Sequence, residues 1–251
     1  MSGHSKWANI HREKEVTDQK RGQEFTKISN AIIVAVRDSG GVTDPGQNFK
    51  LRLAMEKARS LNMPKENIQR AIDRAAGKGE GIVINEVVYE GYGPGGVGML
   101  VETATDNKQR TVQEIKNIFD RSGGNITSPG AVAFNFKKVG VIIVPFTGNK
   151  DEAILKIIDL GVDEIEEGAE GELAVYVSPE NLEEVKEKLM ALGFQPKTVE
   201  LQMKPINTVP VTDKKIAEQV FSLIDKLEAM DDVQKVYANF DIPDEFLPVA
   251  E

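Results

Sequence analysis

The stretch Tyr89-Glu90-Gly91-Tyr92-Gly93-Pro94-Gly95-Gly96-Val97-Gly98 limits what the rest of this chain can fold into. Five glycines and a proline lie between Gly91 and Gly98. Such a segment is neither helix interior nor central strand, because glycine is conformationally loose and proline lacks an N–H. Apolar runs border it, Ile82-Val83-Ile84 and Val87-Val88-Tyr89 before, Met99-Leu100-Val101 after. Two strands around a glycine-rich turn predict a hairpin. The alternative is a phosphate cradle, in which successive backbone N–H groups converge on an anion. Phosphate loops run from a strand into a helix, with a Lys or Ser/Thr following. Here a strand follows, and the next helical pattern begins only near Asn107.

The two sides of this stretch differ in charge. The whole chain of 251 residues carries −9. Residues 1–80 hold 15 Lys/Arg against 10 Asp/Glu, a net of +5, and the remainder carries −14. This asymmetry predicts a head that meets a polyanion and a body that does not, although +5 is also within the reach of an ordinary solvated surface. Cysteine is absent, which excludes disulfides, thiolate catalysis and cysteine metal sites. The opening Met1-Ser2-Gly3-His4-Ser5-Lys6-Trp7 has no signal-peptide core. The longest apolar run, Ala31 to Val36, is too short to span a bilayer. A cytoplasmic protein without a membrane partner is expected.

Residues 1–15 show no period and read as an arm. From Gln23 to Asp38, Phe25, Ile28, Ile32, Ala35 and Val36 fall on one helical face, with Lys27 opposite. Gly22 argues against an earlier start, and Ser39-Gly40-Gly41 stops the helix. Asp44-Pro45 offers a cap for a second helix, with Leu51, Ala54, Met55, Ala58 and Leu61 as its stripe and Lys50, Arg52, Lys57 and Arg59 beside it. Pro64 separates it from a third, with Ile68, Ala71, Ile72 and Ala75 inside and Arg70 and Arg74 outside. Gly77-Lys78-Gly79-Glu80-Gly81 reads as a flexible joint.

After the hairpin, Asp106-Asn107 caps a helix, and Ala131 to Phe136 reads as a strand. Between Val139 and Met203 the order is β-α-β-β-α-β, the ferredoxin-like arrangement. The tail adds a helix capped by Thr212-Asp213 and a strand from Val233 to Phe240, completing the unit the hairpin began. The predicted class is α+β: a three-helix domain over 1–81, then two ferredoxin-like α/β domains, with 138–205 inserted between 82–137 and 206–251.

Chemistry-bearing clusters are few. His4 and His11, both in the arm, have no partners at metal-ligand spacing and support no Ser/His/Asp triad. The run Asp163, Glu164, Glu166, Glu167, Glu170, Glu172 could hold a divalent cation or be a solvated turn; it does not match an EF-hand. No catalytic residue, metal site or cofactor is expected. The candidates are cations of the head: Lys6, Arg12, Lys14, Lys20, Arg21, Lys27, Lys50 and Arg52, with Trp7 to stack on a base or to cover the small core.

Several blocks together resemble the YebC-like proteins. They are Gly3-His4-Ser5-Lys6-Trp7-Ala8-Asn9-Ile10, Lys20-Arg21-Gly22 with Phe25-Thr26-Lys27, and Tyr89 to Gly96. Asp106-Asn107 with Arg110-Thr111-Val112, Gly123-Gly124-Asn125 leading to Val132-Ala133-Phe134, and Asp232-Val233-Gln234 with Val236-Tyr237 complete the set. The resemblance covers essentially the whole chain. It implies a helical domain and two α/β domains, no enzymatic activity, and cytoplasmic transcriptional regulators that bind DNA. Relatives linked to translation imply a second role, in which the head meets ribosomal RNA and the acidic body meets the ribosome or other proteins. Members typically carry a Lys/His-rich run after the tryptophan block. Here His11-Arg12-Glu13-Lys14-Glu15-Val16 stands in its place, which shifts the expectation toward Lys20, Arg21 and Lys27. A nucleotide-binding enzyme built on Gly91 to Gly98 is the remote third reading.

Overall fold

Helix α1 (Asp18–Asp38) runs straight through Gly22, earlier than the Gln23 start expected from the sequence. In a computed structural model that describes residues 18–77, 83–168 and 171–246, it is the first element described. The arm at 1–15 and most of the glycine joint lie outside the described residues. Helices α2 (Phe49–Ser60) and α3 (Lys65–Ala75) follow. Their buried residues are those of the stripes: Ile28, Ile32, Ala35 and Val36 of α1 meet Leu51 and Ala58 of α2 and Ile68, Ala71 and Ile72 of α3. Asn48, not Asp44, caps α2: its Oδ1 accepts from Leu51 N at 3.1 Å. Its Nδ2 donates to Ala35 O, Ser39 Oγ and Val42 O, tying the cap to the end of α1. Asp44 closes only its own turn, through Gly46 N at 2.8 Å.

The glycine-rich stretch is a hairpin. Strands β1 (Asn85–Tyr92) and β2 (Gly98–Thr105) pair antiparallel from Asn85↔Thr105 to Tyr92↔Gly98. A 3-10 turn at Pro94–Gly96 joins them, with Gly95 and Gly96 at φ of 72° and 75°. Gly91 is fixed by packing: a Cβ there would lie 2.7 Å from Phe119 Cε1 and 2.8 Å from Asn125 O. Helix α4 (Lys108–Arg121) supplies Phe119, and β3 (Asn125–Ile126) pairs with β1.

No strand forms at Ala131 to Ala133, where one was expected. The backbone N–H groups of Gly130, Val132 and Ala133 instead point at the Glu90 carboxylate, at 2.6, 2.6 and 2.9 Å. Strand β4 (Phe136–Pro145) begins after a 3-10 turn at Ala133–Asn135.

Next come α5 (Lys150–Ile158), β5 (Glu164–Glu167), β6 (Glu172–Val177), α6 (Leu182–Ala191) and β7 (Thr198–Pro205). The sheet order β5-β6-β4-β7, antiparallel throughout, is that of a ferredoxin-like domain. The tail gives β8 (Val209–Pro210), α7 (Lys214–Glu228), β9 (Val233–Ala238) and β10 (Phe240–Asp241). Strand β9 joins the hairpin in a sheet of order β3-β1-β2-β9, so the tail completes that sheet. This sheet differs in connectivity from β4–β7, because two consecutive hairpin strands precede its first helix. The short parallel pair β8–β10 carries no sequence signal of its own.

The described residues fall into two compact units, 18–133 with 218–237 and 134–217 with 238–246. In the first, the helices share a core with the sheet. Ile84 and Ala104 belong to the same buried cluster as α1–α3, and Asn30 Nδ2 and the Arg37 guanidinium donate to the carbonyls of Ala104 and Ile84.

Candidate nucleic-acid interface

A helix buries one stripe and turns its other residues to water. On α2 and α3 the second set includes Lys57, Arg59, Lys65, Arg70 and Arg74, all exposed. Among the described residues none of the five has an ion-pair partner. Their charge is therefore not neutralised by any described carboxylate.

The lysines of the β4–β7 unit are often paired. Lys150 meets Glu167 at 2.5 Å, Lys197 meets Glu172 at 2.8 Å, and Lys204 meets Glu164 and Glu166 at 2.8 Å each. These partners account for four carboxylates of the acidic run. Tertiary structure supplies the cations that the run itself lacks, and among the described residues no cluster has the makings of a metal site.

The residues expected from the sequence are placed unevenly. Lys6, Trp7, Arg12 and Lys14 lie outside the described residues. Lys20 is in the first turn of α1, and Arg21 is exposed beside it. Lys27, expected on the outer face of α1, is instead buried at 9 % exposure. Its ammonium donates to Glu228 O at 2.5 Å, at the C-terminal end of α7, where a cation offsets the helix dipole. Burial pushes the Lys27 pKa down, partly countered by Glu24 and Glu228. Lys50 is held by Asp38 at 2.6 Å and lies 3.9 Å from Glu86. Burial would lower its pKa, but the Asp38 bond and the Glu86 charge raise it instead. Arg52 donates to Pro45 O at 3.0 Å and lies over the Phe49 ring. Three of the expected cations are thus engaged by the fold.

The residues that sequence reasoning left off its candidate list are the outward ones of α3. Arg70 and Arg74, one turn apart, line a groove of about 210 Å³ between α1 and α3, with Phe25, Thr26, Met63 and Asn67. Helices α2 and α3 are joined by the four residues Leu61 to Pro64, with Asn62 in the left-handed region at φ 56°. What could have exposed these cations is their position opposite the stripe Ile68, Ala71, Ile72, Ala75.

A second polar cluster joins blocks distant in sequence. Asp232 Oδ2 accepts from Arg110 at 2.8 Å, from Thr111 Oγ1 at 2.7 Å and from Thr105 Oγ1 at 3.2 Å. The Asp232 bond, with help from Asp106, raises the Arg110 pKa. Because Arg110 and Thr111 are tied to Asp232, this cluster reads as a clamp on the β2–α4 corner.

Residues 5–78 match the TACO1/YebC protein N-terminal domain, and residues 84–240 match the TACO1/YebC second and third domain. The chain belongs to the TACO1/YebC family. A probable transcriptional regulatory protein of Acidithiobacillus ferrooxidans is 48% identical over 246 residues, covering 98% of this chain and 96% of that protein. One of the same description from Moorella thermoacetica is 48% identical over 245 residues, covering 97% and 96%. A crystal structure of a conserved hypothetical protein from Aquifex aeolicus superposes with a TM-score of 0.84 at 42% identity, covering 92% of this chain and 95% of that one. The α+β class is that of the family. Among the described residues, no helix is long and apolar enough to cross a membrane.

Proposed function

We propose that this TACO1/YebC protein is a nucleic-acid-binding regulator of gene expression that grips its polymer with the outer faces of α2 and α3. The observation that carries this reading is the group Lys57, Arg59, Lys65, Arg70 and Arg74, exposed and without ion pairs among the described residues. Cations already matched by carboxylates release few counterions on meeting a phosphate chain, whereas unmatched ones gain the full term. The names of the relatives, probable transcriptional regulatory proteins, favour DNA as the polymer. The four-residue junction between α2 and α3 also suits DNA, because it resembles that of helix-turn-helix proteins.

A second reading, a translation factor acting on ribosomal RNA, is favoured by the groove beside Arg70 and Arg74. RNA displays unstacked bases in loops, and such a hollow suits them. Crosslinking in cells followed by sequencing of the captured polymer separates the two. Promoter DNA supports transcriptional regulation, ribosomal RNA supports the translation role, and recovery equal to that of a chain with all five cations changed to Gln removes both.

A further inference from the structure

We propose that the groove between α1 and α3 holds one unstacked base of a single-stranded nucleic acid, with Arg70 and Arg74 on the adjoining phosphates. The proposal rests on the nucleic-acid reading above, taken with a single-stranded rather than a duplex polymer, and adds a named seat.

Size points to one ring system. The groove's 210 Å³ is below the roughly 300–1,000 Å³ of pockets for drug-sized ligands, a size that suits a single base. The lining also suits a base. Phe25 is partly buried and offers an aromatic surface, and the buried Met63 lines the same groove. Bases stack on such rings with little sequence preference.

Besides the two arginines, one polar side chain there is uncommitted among the described residues. The hydroxyls of Thr26 and Ser29 donate to Gly22 O and Phe25 O, one turn back on their own helix. The Asn67 carboxamide makes no hydrogen bond to any described residue. A carboxamide both donates and accepts, which matches a base edge.

The charges lie at the mouth. Arg70 and Arg74 are exposed, and Cβ atoms at this spacing are about 5–6 Å apart. Neither has an ion-pair partner among the described residues. Among the described residues no carboxylate lines the groove to repel phosphate. A duplex could reach the two arginines but not the hollow, because its bases are stacked and paired.

The test uses the full chain and short, labelled, mixed-sequence oligonucleotides as single-stranded RNA, single-stranded DNA and duplex DNA, with affinity read by fluorescence anisotropy over a salt series. Single strands are expected to bind roughly ten-fold tighter than duplex, from base stacking that the duplex cannot offer. Whether RNA or DNA binds better identifies the source of the strand. Asn67→Ala is expected to weaken single strands several-fold with the salt slope unchanged. The pair Arg70→Gln and Arg74→Gln is expected to lower that slope by about 1.4, at about 0.7 per phosphate of a single strand. Equal or tighter binding of duplex, with Asn67→Ala silent, overturns this inference and leaves the nucleic-acid reading standing. Failure to bind any of the three polymers overturns both. Displacement of the oligonucleotide by polyglutamate at equal charge overturns the base seat, since the groove would then be reading charge alone. Circular dichroism melts establish that each variant is folded.

Discussion

The ammonium of Lys27 on α1 donates to the carbonyl oxygen of Glu228, the last residue of α7, at 2.5 Å. This bond spans 201 residues of sequence and takes a basic residue of the first helix away from any external ligand. Its role is to close the end of α7 against α1. Lys27→Ala should therefore cost about 1.5–3 kcal/mol of stability, the range for a hydrogen bond to a charged group. Nucleic-acid affinity per folded molecule should stay the same. Urea unfolding and anisotropy on one sample check both. An affinity loss without a stability loss would return Lys27 to the interface.

Glu90 is nearly fully buried and accepts three backbone N–H bonds from the loop ahead of β4. Burial opposes its ionisation, but the bonds from Gly130, Val132 and Ala133 outweigh this and hold its pKa below the usual carboxylate range. A depressed folded-state pKa contributes stability above the unfolded value and loses it as pH falls through the folded one. Glu90→Gln should cost about 2 kcal/mol or more at neutral pH, because an amide NH2 would then face N–H donors. The gap between the two proteins should narrow as pH drops below the ordinary glutamate range. Denaturant melts over an acidic pH series measure this, and a gap independent of pH would disprove the account.

Gly22 lies inside α1 with nothing within 4 Å of the position its Cβ would take. Alanine fits there and removes the entropy cost of glycine in a helix. Gly22→Ala should raise stability by about 0.5–1 kcal/mol. A thermal melt that moves down would show that this stretch is not helical.

Gly91 predicts the opposite sign. A Cβ would press on the Phe119 ring at 2.7 Å and on Asn125 O at 2.8 Å. Phe119 is fully buried and cannot yield. Gly91→Ala should cost about 1–3 kcal/mol, as overpacked cores do. A melt unchanged from the parent would mean that the α4 packing relaxes freely.

These four sites show where the sequence was readable. The stripes of α1, α2 and α3 were legible because a helix buries every third or fourth residue, and Ile28, Leu51 and Ile68 fall on that spacing. The β4–β7 unit was legible for the same local reason, its alternating strands and capped helices arriving in order. The hairpin was legible from its glycines, although the reason for Gly91 was not, since Phe119 reaches it from another element.

The sites were less readable. Lys27 and Arg70 look alike in sequence, each a cation outside an apolar stripe. One is buried on a distant carbonyl and the other is exposed. The loop at 130–133 alternates like a strand, yet Glu90 claims its N–H groups before any neighbouring strand can.

The order of residues alone determined most of the elements, the α+β class and the family, because periodicity, caps and turn chemistry act over a few residues. Only tertiary structure decided which charges are spent and which remain for a partner. Pairing depends on what a side chain meets across the fold, as Arg110 meets Asp232 and Lys204 meets Glu166, and such distances are not written in local spacing.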